Sequence, residues 1–136
     1  PDEVDRLLSY RLCHHSSVCL SELTHAFGRL DPKHGSTKAV LETLEATVED
    51  IPQHRLHAPD AAVWGQAGVL AGLLFRLGNL PKGEGHERRF VNDALVLLQA
   101  RQLGASVLTG NVRDYDILTQ ILPTGRIILY RTSQSP

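Results

Sequence analysis

The chain has 136 residues, 42% of them apolar and 21% charged, with 14 basic against 15 acidic side chains and a formal net charge of -1. That length suits one domain, and the ordinary charge density argues against disorder. The near-neutral balance excludes a global positive field that would draw the chain onto nucleic acid or anionic lipid, so nucleic-acid chemistry would need a local site, a metal or a partner.

In chain order, Val4, Leu7, Leu8 and Leu12 recur at helical spacing across Asp2 to Leu12. Ser16 to Leu20 reads as a short strand, followed by a helix from Glu22 to Leu30 on which Leu23, Ala26, Phe27 and Leu30 form a stripe. Asp31 to Ser36 is loop by composition. Thr37 is the expected N-cap of a helix faced by Val40, Leu41, Leu44 and Val48, ending before Pro52. Arg55 to His57 reads as a short strand. Pro59 then opens a helix running to about Gly78, with Gly65, Gly68 and Gly72 along one side, a pattern that predicts close approach of a neighbouring element. Asn79 to Glu87 is expected to be a loop, Arg89 to Leu103 a helix closed by Gly104, and Ala105 to Thr109 a buried strand. Gly110 to Tyr115 reads as a polar turn, Ile117 to Leu122 as a short helix, and Arg126 to Tyr130 as a last apolar strand. Helices alternating with short apolar strands predict an α/β protein with a mostly parallel sheet, in which sites gather beyond the carboxyl ends of strands.

Three acids stand at such junctions: Glu22 after the first strand, Asp93 in the first turn of the helix from Arg89, and Asp114 past the strand ending at Thr109. Taken singly, Glu22 and Asp93 read as partners of a helix dipole and Asp114 as a cap. Taken together they suggest a metal-assisted phosphodiester hydrolase, because converging carboxylates repel one another unless a cation sits between them. Hard Mg²⁺ takes such oxygen ligands and keeps waters for substrate phosphate.

The stretch from Asn92 to Tyr115 resembles the C-terminal half of a PIN domain, most of all the VapC-like bacterial toxins. Asp93 opens a helix with Ala and Gly near its end, an apolar strand closes in Thr109, and a short turn leads to Asp114 and the aromatic Tyr115. Upstream, Ser21-Glu22-Leu23 matches the family's second acid, and Trp64 to Leu77 resembles its Ala/Gly-rich helix ending in Arg-Leu-Gly, as Arg76-Leu77-Gly78 does. The resemblance spans roughly Ser16 to Tyr130. It implies a three-layer α/β/α domain over the whole chain and a ribonuclease dependent on Mg²⁺ or Mn²⁺, with Glu22, Asp93 and Asp114 as metal and catalytic acids. Thr109 and Asn111 would line the site, Asp116 is a weaker candidate beside Asp114, and Arg113, with His86, Arg88, Arg89 and Arg101, could form a phosphate-contacting rim. For that rim a solvated, salt-bridged surface is an equally good account. The family also implies an RNA substrate, a small antitoxin protein as partner in a type II toxin–antitoxin pair, and a homodimer.

The sequence departs from the pattern at its start. PIN domains begin with an apolar strand carrying the first catalytic Asp, whereas Asp2 and Asp5 lie in a helical stretch. The expectation is a chain that starts after this strand and is, by itself, a weak nuclease or an inactive one. The alternative is a catalytically incomplete module that binds RNA or a protein partner without cutting. Cys13, His14, His15, Cys19 and His25 invite a zinc site, but their spacing is not that of a paired knuckle, so small apolar cysteines and surface histidines are the plainer account. His25, three residues after Glu22, could be its outer partner. Two cysteines also suit a reducing compartment, no secretory signal is visible, and the apolar stretch from Ala61 to Leu77, interrupted by Gln66 and Arg76, falls short of the about 20 apolar residues of a membrane span. A cytoplasmic protein without membrane contact is expected.

Overall fold

The computed structural model describes residues 2–77, 84–123 and 125–130. The chain divides into two compact units, one from Cys13 to Ala58 and one formed by Pro1–Leu12 with Pro59–Pro136.

In the first unit, strand β1 (His15–Ser16) pairs in parallel with β2 (Leu56–His57), His15 opposite Leu56 and Ser16 opposite His57. Helices α2 (Ser17–Arg29) and α3 (Thr37–Glu49) lie between them in sequence, and a 3₁₀ turn at Gln53–Arg55 leads into β2. The strand expected over Ser16 to Leu20 is therefore mostly helix. Ser16 has extended backbone angles and its hydroxyl accepts the N–H of Val18, which makes it an N-cap and starts α2 at Ser17. β-tolerant residues yield here to a strong cap. At α3 the N-cap is Ser36, one residue earlier than expected, and Thr37 is buried with its hydroxyl donating to the Asp31 carbonyl at 2.6 Å.

The second unit holds α1 (Asp2–Ser9), α4 (Ala61–Leu77), α5 (Glu84–Gln102), β3 (Val107–Thr109), α6 (Val112–Ile121) and β4 (Ile127–Leu129). Its core is a helix pair. Val63, Ala67, Ala71 and Leu74 form the buried stripe of α4, and Phe90, Ala94, Leu95, Leu97 and Leu98 that of α5, joined by Val107, Tyr115 and Leu118. Asp60 caps α4, accepting the Val63 N–H at 2.8 Å, and also accepts the side chain of Gln102 from the far end of α5 at 3.3 Å. These bonds hold its carboxyl below the usual value, the Val63 N–H foremost, then Gln102. Just past the same end of α5, Gly104 takes φ +65, with Gly104 N–H on the Arg101 carbonyl and Ala105 N–H on that of Ala100, a Schellman closure at the glycine the sequence marks as the helix stop.

β3 and β4 pair in parallel, Val107 with Ile127 through Thr109 with Leu129. The described residues thus form a mixed α/β chain with two separate short parallel pairs. Residues 78–83 lie outside the described residues, and with them most of the expected Asn79 to Glu87 loop. Three boundaries differ from expectation. Helix α5 begins at Glu84, so Asp93 lies in mid-helix instead of the first turn; α6 begins at Val112, absorbing most of the expected Gly110 to Tyr115 turn; and Glu22 is inside α2 instead of at its start.

The three glycines of α4 do not mark a close approach. Nothing among the described residues lies within 4 Å of where a Cβ would stand at Gly65, Gly68 or Gly72. Trp64, Val69 and Leu77 are exposed on the same helix, at 52%, 65% and 63%. No helix among the described residues is long and apolar enough to cross a membrane.

Candidate functional site

The sequence Thr109-Gly110-Asn111-Val112-Arg113-Asp114 ends β3 and opens α6, and its polar groups bond among themselves. The Thr109 hydroxyl accepts the N–H of Asn111 at 3.0 Å. Asn111 is the N-cap of α6, with its Oδ1 facing the N–H of Asp114 and its Nδ2 donating to Asp114 Oδ2 at 3.0 Å. This is a reciprocal cap, and its result is a carboxylate fixed in place behind a strand end. Asp114 is only 2% exposed.

A buried carboxylate needs a compensating charge, and α5 supplies one. Arg89 Nε lies 3.1 Å from Asp114 Oδ2, the Arg side chain being 49% exposed against 3% for the Asp. The guanidinium also meets His86 Nδ1, through Nη2 at 3.4 Å. Asp93 follows Arg89 by four residues on α5, so the two share a helix face one turn apart. The ion pair thus ties the turn of α5 that precedes Asp93 to Asp114. One oxygen of Asp93, Oδ2, is sealed from solvent.

The other candidates are exposed or half-buried. Arg113 and Asp116 are exposed on α6, and Asp116 Oδ2 accepts from Gln120 one turn on at 3.4 Å. Position 116 falls on the opposite side of the helix from the buried Asp114. Glu22 is exposed and belongs to the other unit. Arg88 and Arg101 are exposed and His86 half-buried on α5. Among the described residues no three His, Cys, Asp or Glu side chains gather as a metal cage. Cys13 is half-buried and Cys19 exposed, and neither forms a disulfide.

The donors of the second unit fit a hard divalent cation in kind, if not in number. Asp93 and Asp114 offer only oxygen, Mg²⁺ is commonly held by one or two carboxylates plus water, and Asp114 already attracts a cationic group. What sequence inspection missed is the position of Arg89. The sequence offers it as part of a phosphate-contacting rim or of a solvated surface, and its spacing of four before Asp93 is the available signal for an inward-facing role.

No protein-family model matches the chain, and no curated protein matches it. Among solved structures, it is similar to a chain in the crystal structure of VapBC2 from Rickettsia felis bound to a DNA fragment from their promoter. The TM-score is 0.62 at 18% identity, over 95% of this chain and 83% of that one. The likeness is one of fold: over most of its length this chain shares the fold of that VapBC2 chain.

Proposed function

We propose that the chain is a PIN-type ribonuclease of the VapC-like class, the toxin of a toxin–antitoxin pair, acting on RNA phosphodiester bonds in the cytoplasm with Mg²⁺ or Mn²⁺. The observation that carries the proposal is the joining of Asp114 to the Asp93 face of α5 through Arg89, at the carboxyl end of a parallel strand. The VapC-like fold supports it. A three-layer α/β/α arrangement belongs to the same proposal.

Asp93 and Asp114 are the residues that would hold the ion. When bound, such an ion lowers the pKa of a coordinated water and offsets charge on the phosphate. The chain's own residues do the positioning. Thr109 holds Asn111, Asn111 holds Asp114, and the β3–β4 pairing holds Thr109, so the carboxylate does not reorganise when charge arrives. Arg113, exposed beside the cap, would contact a phosphate. Glu22 enters through the sequence resemblance alone as the third acid, and Asp116 is left without a role in binding.

By the same likeness we assign a small antitoxin as partner, and a second copy of the chain. The exposed apolar residues Trp64 and Val69 on α4, beside glycines that face open space, are the surface that supports a protein partner. The test is incubation of the chain with a labelled single-stranded RNA, with Mn²⁺ or Mg²⁺ and with chelator. Cleavage that needs the ion and stops in Asp114→Asn is expected; cleavage that survives chelation contradicts the mechanism.

One observation favours a second reading, a module that binds RNA without cutting it. Asp114 Oδ2 is already engaged by both Arg89 and Asn111, which is how a purely structural carboxylate is satisfied. Under that reading the RNA is retained uncut at every metal concentration.

A further inference from the structure

His14 and His57 are separated by 43 positions in sequence, yet His14 Nδ1 and His57 Nε2 stand 2.9 Å apart, with ring centroids at 5.0 Å and planes inclined by 53°. The strands hold them there. His14 precedes β1 by one residue and His57 closes β2, opposite Ser16 in the ladder. Both rings belong to the Cys13–Ala58 unit, and the contact between them is exposed.

We propose that this pair is a two-histidine site for a borderline-soft divalent cation of the Cu²⁺ or Ni²⁺ type, separate from the carboxylates of the other unit. Two imidazole nitrogens facing at hydrogen-bond distance can share one proton between them, and an ion that replaces that proton bonds to both. Nitrogens each about 2.0–2.1 Å from one ion, at a right angle, stand about 2.9 Å apart. That is the separation found. A tetrahedral angle would require about 3.3 Å, which a small ring rotation also reaches, so the preference for Cu²⁺ and Ni²⁺ rests on the affinity order of imidazole sites, in which Cu²⁺ stands highest. The rings must turn for both lone pairs to converge on one point, a side-chain rotation that leaves the ladder intact. No third His, Cys, Asp or Glu among the described residues completes the set, so water fills the remaining positions and affinity is modest. The pair also differs from the zinc arrangement the sequence invites. It recruits His57 from the distant strand, not Cys19 or His25 from α2.

The test is calorimetric titration of the tag-free full chain with Ni²⁺ and with Cu²⁺, beside His14→Ala and His57→Ala. One ion per chain is expected, weakened about tenfold or more in each variant, since even the loss of outer-shell partners weakens metal sites 10–100-fold. Unchanged binding in both variants overturns the proposal. So does binding that survives them but is lost in Cys13→Ser or Cys19→Ser. Should a histidine variant fail to fold, ring NMR of the unaltered chain during Ni²⁺ addition, read through paramagnetic shifts and broadening, decides the same point. Shifts confined to two of its seven histidines, His14 and His57, support the pair, and any other pattern overturns it. Failure of RNA cleavage leaves this outcome untouched, because the carboxylates take no part in it.

Discussion

Replacing Arg89 by Ala removes a guanidinium from a carboxylate that is nearly sealed from water, with 3% side-chain exposure. Leaving a buried polar group without its partner costs about 1–3 kcal/mol, and breaking a fully buried ion pair about 3–5 kcal/mol. Two features place Arg89→Ala at the lower end. The Arg side chain is 49% exposed, so solvent already screens the pair, and the Asn111 amide still donates to the same oxygen. The expected loss is about 1–2 kcal/mol in urea unfolding, with an unchanged m-value. The double variant with Asp114→Asn isolates the interaction, because the neutral amide has no charge left to orphan. The two substitutions should then fall short of additivity by about 1 kcal/mol. Agreement with additivity to within about 0.3 kcal/mol would refute the electrostatic coupling of α5 to α6 on which the site rests.

Further outcomes follow from single features. Arg89→Ala should also weaken Mn²⁺ binding, read by calorimetry, because the contact that joins α5 to Asp114 is lost; tighter binding would show that Arg89 only competes with the ion for Asp114. Asp60→Ala should lower the melting temperature at neutral pH. Since the folded carboxyl titrates below its ordinary value of 3.8, its stabilisation is present above that pH and fades as pH falls through the folded value, so the gap between variant and parent should close in acid. A gap constant with pH contradicts this. At Gly125 an added Cβ would stand 2.7 Å from Leu97 Cδ1 and 3.3 Å from its Cγ, and Leu97 is fully buried. Gly125→Ala should therefore cost about 1–3 kcal/mol by denaturant unfolding, whereas the open Gly68 should tolerate Ala and gain slightly in helix propensity.

Much of the fold follows from patterns visible along the chain. The α4 and α5 stripes, the parallel strands after Gly104 and near the C-terminus, and the Schellman glycine all arise from local period and turn chemistry. The starts of helices were less legible, for a common reason. Ser16 and Asn111 cap α2 and α6 with their own side chains, and a cap one or two residues upstream overrides the weak β or turn preference of the residues after it. For α5 the helix simply extends through charged residues, Glu84 to Arg89, that carry no apolar period. That extension moves Asp93 to mid-helix, where a dipole role no longer accounts for it. The glycines of α4 misled because small residues signal contact only when a partner is present. In the candidate site, Asp114, Asn111 and Thr109 were legible as a group because they are close in sequence. The Arg89 contact crosses from α5 to α6, and no local pattern specifies such a pairing.

The central claim is that Asp93 and Asp114 form the metal-dependent centre of a ribonuclease. Its most direct test is the rate of Mn²⁺-supported cleavage of a labelled RNA by the full chain and by Asp93→Asn, with both melting curves recorded. The account predicts ion-dependent cleavage by the parent, falling by about 100-fold or more in Asp93→Asn while the fold melts as before. Equal rates in the two proteins, or no cleavage by either beside retained RNA binding, would contradict it.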